Sequence, residues 1–436
     1  MDLYIDPGTG SMLFAILVGI FGAVNYALRT LFVKLNFFLS GGRKQAQGDQ
    51  KYPLAIFSDD KRYWNVFEPL CKSFNKRGLD FVYLTASEDD PAFAAGLEHM
   101  KVEFLGEGNK AFARLNYLKA HVLLSTTPGL DVYQWKRSPE IDYYIHILHA
   151  AGEVLMYRMF GLDYYDMVLV GSNVFQPNDI RTLEALRGLP AKEIAVSGIP
   201  YMDEMYTRLQ LEQTSKEKSS TPTVLLAPSW GSSAILARFG ERIIQNLLDT
   251  GYNIIIRPHP QSFKSETSMI EVLMKKYPSQ ERLEWNRDLD NFDCLMRADI
   301  MISDFSGVIF DFALVHNKPV IYTDTHIDVS PYDAWWVSED LWTYSALKRI
   351  GRHLGECGNA QSLKALVDEC LLSSSLKRGL DEVREEVWQK RGEGTLVTVD
   401  IIMNKLNELG AEYKGSTGEN SIATPHSNAH NSLQEA

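Results

Sequence analysis

The chain has 436 residues, 45% hydrophobic and 23% charged, with a net charge of −12. That length supplies two domains with substantial cores. The acidic balance argues against a general nucleic-acid or phosphoinositide surface, so no nucleic-acid partner is expected.

The sequence opens with a turn, IDPGTGS, in which Ser11 is a candidate helix cap. Residues 12–28 (MLFAILVGIFGAVNYAL) carry no charge and one strongly polar residue, Asn25. They are expected to form one transmembrane helix, short but extendable through 31–33 if Arg29 and Lys34 snorkel. The segment is apolar on every face, unlike a core helix packed on one side. It lacks the basic leader and small-x-small site of a cleaved signal peptide. Asp2 and Asp6 precede it; Arg29, Lys34, Arg43, Lys44 and Lys51 follow. The positive-inside rule therefore places the N-terminus outside and everything after the span in the cytoplasm. Residues 1–50 read as anchor and juxtamembrane linker. Cys71, Cys294, Cys357 and Cys370 are scattered without a CxxC pair, as reduced thiols are, not a disulfide frame or a zinc site.

From 51 to 215, short apolar runs at 54–57, 81–84, 122–124, 143–148, 167–170 and 194–196 read as buried strands. Amphipathic segments such as 62–77 and 177–188 lie between them, the pattern of a parallel α/β sheet. A charged, Ser/Thr-rich stretch at 211–222 reads as a linker. The alternation restarts over 222–410. Strands are expected at 224–227, 253–256, 283–285, 300–302 and 320–322, with helices at 234–249, 262–277, 290–297 and 306–316. Helical patterns fill 340–405. The polar stretch 411–436 reads as a disordered tail. Two Rossmann-like halves facing a cleft form the arrangement called GT-B, in which ligands bind at the carboxyl ends of strands.

Polar chemistry does cluster after the strands. Strand 253–256 ends in Arg257-Pro258-His259-Pro260, where the prolines stiffen the backbone beside a cation and an imidazole suited to a diphosphate. A proline-rich turn with an incidental histidine is the plain alternative. Strand 224–227 ends in PSWGSS, residues 228–233. Ser229 and its small neighbours allow backbone amides to approach a ligand; Trp230 is open to stacking on a base or to packing. Strand 300–302 ends in Ser303-Asp304-Phe305-Ser306-Gly307. Ser303 and Ser306 are candidate caps for helix 306–316, Gly307 permits close approach, and Asp311 either reaches a ribose or supports the elbow. In the first half, strand 143–148 ends at His149, a candidate general base with His146 as its competitor; Glu153 is near enough in sequence to orient an imidazole. No Asp/His cluster calls for a metal, and no cofactor is expected.

These motifs resemble the CDP-glycerol glycerophosphotransferase family, the teichoic acid primases and polymerases. The resemblance runs from about 140 to 340. RPHP at 257–260 and ADIMISDFSGVIFDFAL at 298–314 follow ILHAAG, YDMVLVGS, SGIPYMDEM and LLAPSW in the family's order. It implies a CDP-alcohol bound mainly to the second half. It implies His149 as the base and His259 near the phosphates, with Ser303, Asp304, Ser306 and Gly307 on the diphosphate and Asp311 as the downstream aspartate. The chain departs from the family at Ala150-Ala151-Gly152, where Gly-Thr-Pro is usual. It departs also at Tyr201, where an arginine follows the proline, and at Gly307, where a second serine is usual.

The expectation is thus a membrane-anchored transferase that moves glycerol phosphate, or a similar polyol phosphate, from a CDP-alcohol to a lipid-linked or membrane-proximal acceptor hydroxyl, releasing CMP in cell-surface polymer synthesis. Arg257, His259 and the amides at Ser306 and Gly307 would take up charge on the diphosphate. A GT-B glycosyltransferase using a nucleotide sugar and a non-catalytic, membrane-tethered nucleotide-binding scaffold are the rival readings.

Overall fold

The computed structural model describes residues 51–212, 220–288, 290–304, 306–323, 329–337, 341–356 and 358–412. The expected membrane span, the tail beyond 412, Cys357 and most of the linker lie outside the described residues. Among those described, no helix is long and apolar enough to cross a membrane.

Two parallel sheets carry the chain. The first runs in the order β3-β2-β1-β4-β5-β6-β7. Its strands are β1 (Tyr52–Ser58), β2 (Phe81–Thr85), β3 (Met100–Phe104), β4 (Ala120–Ser125), β5 (Ile141–Ile147), β6 (Met167–Val170) and β7 (Glu193–Val196). The second runs β10-β9-β8-β11-β12-β13. It comprises β8 (Thr223–Ala227), β9 (Asn253–Ile256), β10 (Leu283–Trp285), β11 (Ile300–Ser303), β12 (Val320–Tyr322) and β13 (Gly351–His353). Helices cover both faces, so the central strands are apolar without alternation; Leu54, Ala55, Ile56 and Phe57 are all fully buried.

Four expectations are corrected. Met100–Phe104 is a strand that no reading anticipated, and Gly351–His353 interrupts the supposedly helical 340–405. Helix 262–277 is two helices, Ser262–Ser265 and Thr267–Lys276. Helix 306–316 is a short α turn, Val308–Phe310, followed by a π turn, Asp311–Val315; its N-cap, Gly307, offers no side chain to hold the first amides.

Two of the ties between the halves shape the fold most. Arg187, on the first-half helix Gln176–Arg187, pairs with Asp163 and with Asp333 of the second half. Asp333 also accepts from the Phe160 amide at 2.9 Å. These charges are buried and hold one another, since either alone would be costly. At the other place the chain returns. Helix Gly394–Glu408 packs on the first-half helices Trp64–Lys76 and Pro200–Glu212. Asp203 accepts from Trp388 Nε1 and from the amides of Gly392 and Gly394 at 2.8–2.9 Å, fixing that helix's start. This helix therefore lies on the first half, although the sequence groups it with the second.

Candidate active site

A cavity of about 900 Å³ opens between the halves. His149, Tyr157 and Tyr63 line it from the first half; Asp304, Ser306 and Gly307 line it from the second. Both groups come from the carboxyl ends of parallel strands, where the chain leaves the sheet and backbone groups are free of the ladder.

His149 follows β5, and its orientation comes from the neighbouring strand. The Thr126 hydroxyl, just after β4, donates to the Ile147 carbonyl at 2.8 Å. Its one hydrogen is thereby used, so toward His149 Nδ1, 3.0 Å away, it can only accept. Nδ1 carries the ring proton and Nε2 carries the lone pair. No described residue bonds Nε2. The Tyr157 hydroxyl stands 3.3 Å from the same Nδ1, and the Tyr63 ring packs at 4.9 Å. Burial, with a smaller contribution from the charge of Arg62, lowers the imidazole to about 4, against a bond to the Thr126 backbone, which raises it. The ring is neutral at pH 7, a base with its acceptor nitrogen available.

His146 is fully buried, wedged between Tyr157 and Tyr165 with ring centroids 5.2 and 4.9 Å away. It lies outside the cavity lining. Glu153 does not orient an imidazole. Its carboxylate accepts from the amides of Trp342 and Thr343 at 2.9 and 3.2 Å, capping the second-half helix Trp342–Ile350.

The elbow after β11 divides its work. Ser303 donates to the Ala227 carbonyl at 2.6 Å and caps no helix. Asp304 accepts from the Ser229 and Ile235 amides at 2.9 and 3.0 Å, clamping the loop after β8. Ser306 and Gly307 face the cavity. A Cβ on Gly307 would meet nothing within 4 Å, so a serine there has room. Asp311 accepts from the Tyr201 hydroxyl of the first half at 2.9 Å; burial raises its carboxyl to about 6. It supports the elbow across the halves.

The other predicted residues stand on the adjacent strand ends, outside the cavity lining. Arg257 donates to the Asn286 side chain after β10. His259 Nδ1 accepts from the Gln261 amide at 3.1 Å, and burial, then the charge of Arg62, lowers its pKa. Ser229 is buried with an unpartnered hydroxyl, and Trp230 is half exposed. Thr126, Tyr157, Tyr63 and Arg62 were not anticipated. Applying the strand-end rule to β1 and β4, as to β5, singles out Arg62 and Thr126. Among the described residues no cluster of His, Cys, Asp or Glu is built to hold a metal.

The profile of the CDP-glycerol:poly(glycerophosphate) glycerophosphotransferase family matches residues 161–334. The teichoic acid glycerol-phosphate primase of Bacillus subtilis (strain 168) is 26% identical over 47% of this chain and 57% of its own length. That of Bacillus spizizenii is 24% identical over 42% and 45%. The chain thus spans about half the length of the curated relatives it matches. A structure of the wall teichoic acid polymerase TagF superposes with a TM-score of 0.55 at 15% identity, covering 89% of this chain and 99% of that one. A UDP complex of S. aureus MnaA gives 0.57 at 13%, over 84% and 100%. At such identities the superpositions establish the fold, two Rossmann-like domains in the GT-B arrangement. Residues 161–334 thus resemble the CDP-glycerol:poly(glycerophosphate) glycerophosphotransferase family, over less than half of the chain.

Proposed function

We propose that the chain transfers glycerol phosphate, or a similar polyol phosphate, from a CDP-activated donor to an acceptor hydroxyl. The observation that carries this reading is His149, with Nδ1 held by Thr126 and Nε2 unbonded, in one cavity with the Ser306 and Gly307 elbow. The acceptor oxygen attacks the phosphorus that bears the polyol. The bond from that phosphorus to the bridging oxygen breaks, CMP leaves with the electron pair, and the acceptor proton passes to Nε2. Ser306 and Gly307 receive the diphosphate, with Lys348 and Arg158 on the cavity wall adding positive charge. The family match over residues 161–334 and the primase relatives support CDP-glycerol as the donor and teichoic acid synthesis as the setting. The apolar segment 12–28 supports a membrane-anchored enzyme with its domains in the cytoplasm and an acceptor presented at the membrane.

The full chain is incubated with CDP-glycerol, CDP-ribitol and a panel of nucleotide sugars, and CMP release is followed. Release from CDP-alcohols, abolished in a His149→Ala variant that still binds CDP, is expected. Turnover of nucleotide sugars alone refutes the reading; turnover unchanged in the variant removes His149 as the base.

A further inference from the structure

We propose that Arg62 is a further donor-binding residue, a cation of the first half that grips the terminal phosphate of the nucleoside diphosphate held by the second. This rests on the functional reading above.

Arg62 lies in the short turn Lys61–Tyr63 that follows β1. Its neighbour Tyr63 lines the cavity and packs on the His149 ring. The Arg62 charge acts on two imidazoles at once, His149 of the first half and His259 of the second. The guanidinium itself lies 5.9 Å from the centroid of the cavity-lining Tyr63 ring, which places it beside the cleft.

It is also only partly engaged. Nε donates to Asp60 at 2.9 Å, and the side chain is 64% exposed. Nη1 and Nη2 bond no described residue. Asp60 thus fixes the stem of a fork whose two prongs are unused, a geometry that fits two oxygens of one phosphate. The alternatives nearby are occupied. Lys61 is paired with Asp89, and Arg257 is turned to Asn286. A diphosphate resting between the elbow and His149 leaves its outer phosphate toward the first half. Arg62 is the cation at the end of β1 able to meet it. In the reaction the same contact offsets charge on the phosphoryl group as its bond to CMP breaks.

The experiment is titration calorimetry of CDP and CMP on the full chain as wild type, Arg62→Gln, Arg62→Lys and, as a control, Lys61→Gln. Arg62→Gln is expected to weaken CDP about tenfold or more and to leave CMP within about twofold. Arg62→Lys should recover part of the loss, and Lys61→Gln should match wild type. In Arg62→Gln the NMR titrations of His149 and His259 should both move upward, which establishes that the variant is folded with the cation gone. CDP affinity that is equal in wild type and Arg62→Gln, whether tight or absent, overturns the proposal. A wild type that binds CDP through Arg62 but turns over no CDP-alcohol leaves this assignment standing and sinks the functional reading.

Discussion

Replacing Thr126 with valine removes the group that sets the tautomer of His149 while keeping side-chain volume. Two hydrogen bonds disappear, the 2.8 Å bond to Ile147 and the 3.0 Å bond to Nδ1. A neutral bond contributes about 0.5–1.5 kcal/mol net, so the fold should lose roughly 1–3 kcal/mol. Without the hydroxyl acceptor the preference for a proton on Nδ1 weakens, leaving the bond to the Thr126 backbone; the Tyr157 hydroxyl at 3.3 Å can donate to Nδ1 or accept from it. A preference of about 0.5–1.5 kcal/mol corresponds to roughly two- to tenfold in kcat, with KM little changed. The sign of the pH effect follows from the same bond. Burial holds wild-type His149 at about 4, and its bond to the Thr126 backbone, which valine keeps, raises it. Losing the hydroxyl that accepts from Nδ1 removes a separate support of the imidazolium, so the acid limb of kcat/KM, near pH 4 in wild type, should move further down. Thr126→Ser, which keeps the hydroxyl, should restore both rate and limb. Steady-state kinetics across pH with CDP-glycerol decide the matter. A folded Thr126→Val enzyme with wild-type kcat and an unmoved limb would show that the tautomer is fixed some other way.

Two further predictions concern the frame of the site. Asp304→Ala strands the amides of Ser229 and Ile235, both charge-assisted donors in a buried loop; a loss of about 3–5 kcal/mol is expected in urea denaturation, and a loss under 1 kcal/mol would contradict the clamp. Gly379→Ala pits a gain of about 1 kcal/mol in helix propensity against a Cβ only 2.1 Å from the Arg349 carbonyl. The carbonyl is backbone and cannot yield cheaply, so the melting temperature should fall; a rise would mean that the two helices separate more easily than they pack.

Much of the fold could be read from the chain because central parallel strands have no solvent face. Runs such as 54–57 and 224–227 are apolar throughout and bounded by turns, and nothing else of that length reads so. The misses lie where pairing, not composition, makes the strand. Gly351–His353 has no strand-like side chains and exists because Val320–Tyr322 offers it an edge. Met100–Phe104 is an edge strand, buried at one end and partly exposed along the rest. At the site, the strand-end rule found His149 and the elbow but not their partners. Thr126 reaches His149 because β4 and β5 are neighbours in the sheet, a fact of topology and not of spacing. Nor could spacing show that Ser303 and Asp304 would turn to the scaffold while Ser306 and Gly307 turn to the cavity. The direction of each side chain depends on the path of a turn that only the folded loop fixes.

The helix Gly394–Glu408, seated on the first half and started by Asp203, has a consequence for how the protein is made. A ribosome delivers the seven strands of the first sheet long before it delivers residues 394–408. Until then the part of Trp64–Lys76 and Pro200–Glu212 that this helix covers is bare, and the Asp203 carboxylate has none of these three donors. The first half therefore waits, incomplete, through the synthesis of the whole second half. Its closure has to await residues 388–408. Losing the final helix would expose the apolar flank of the half that was made first.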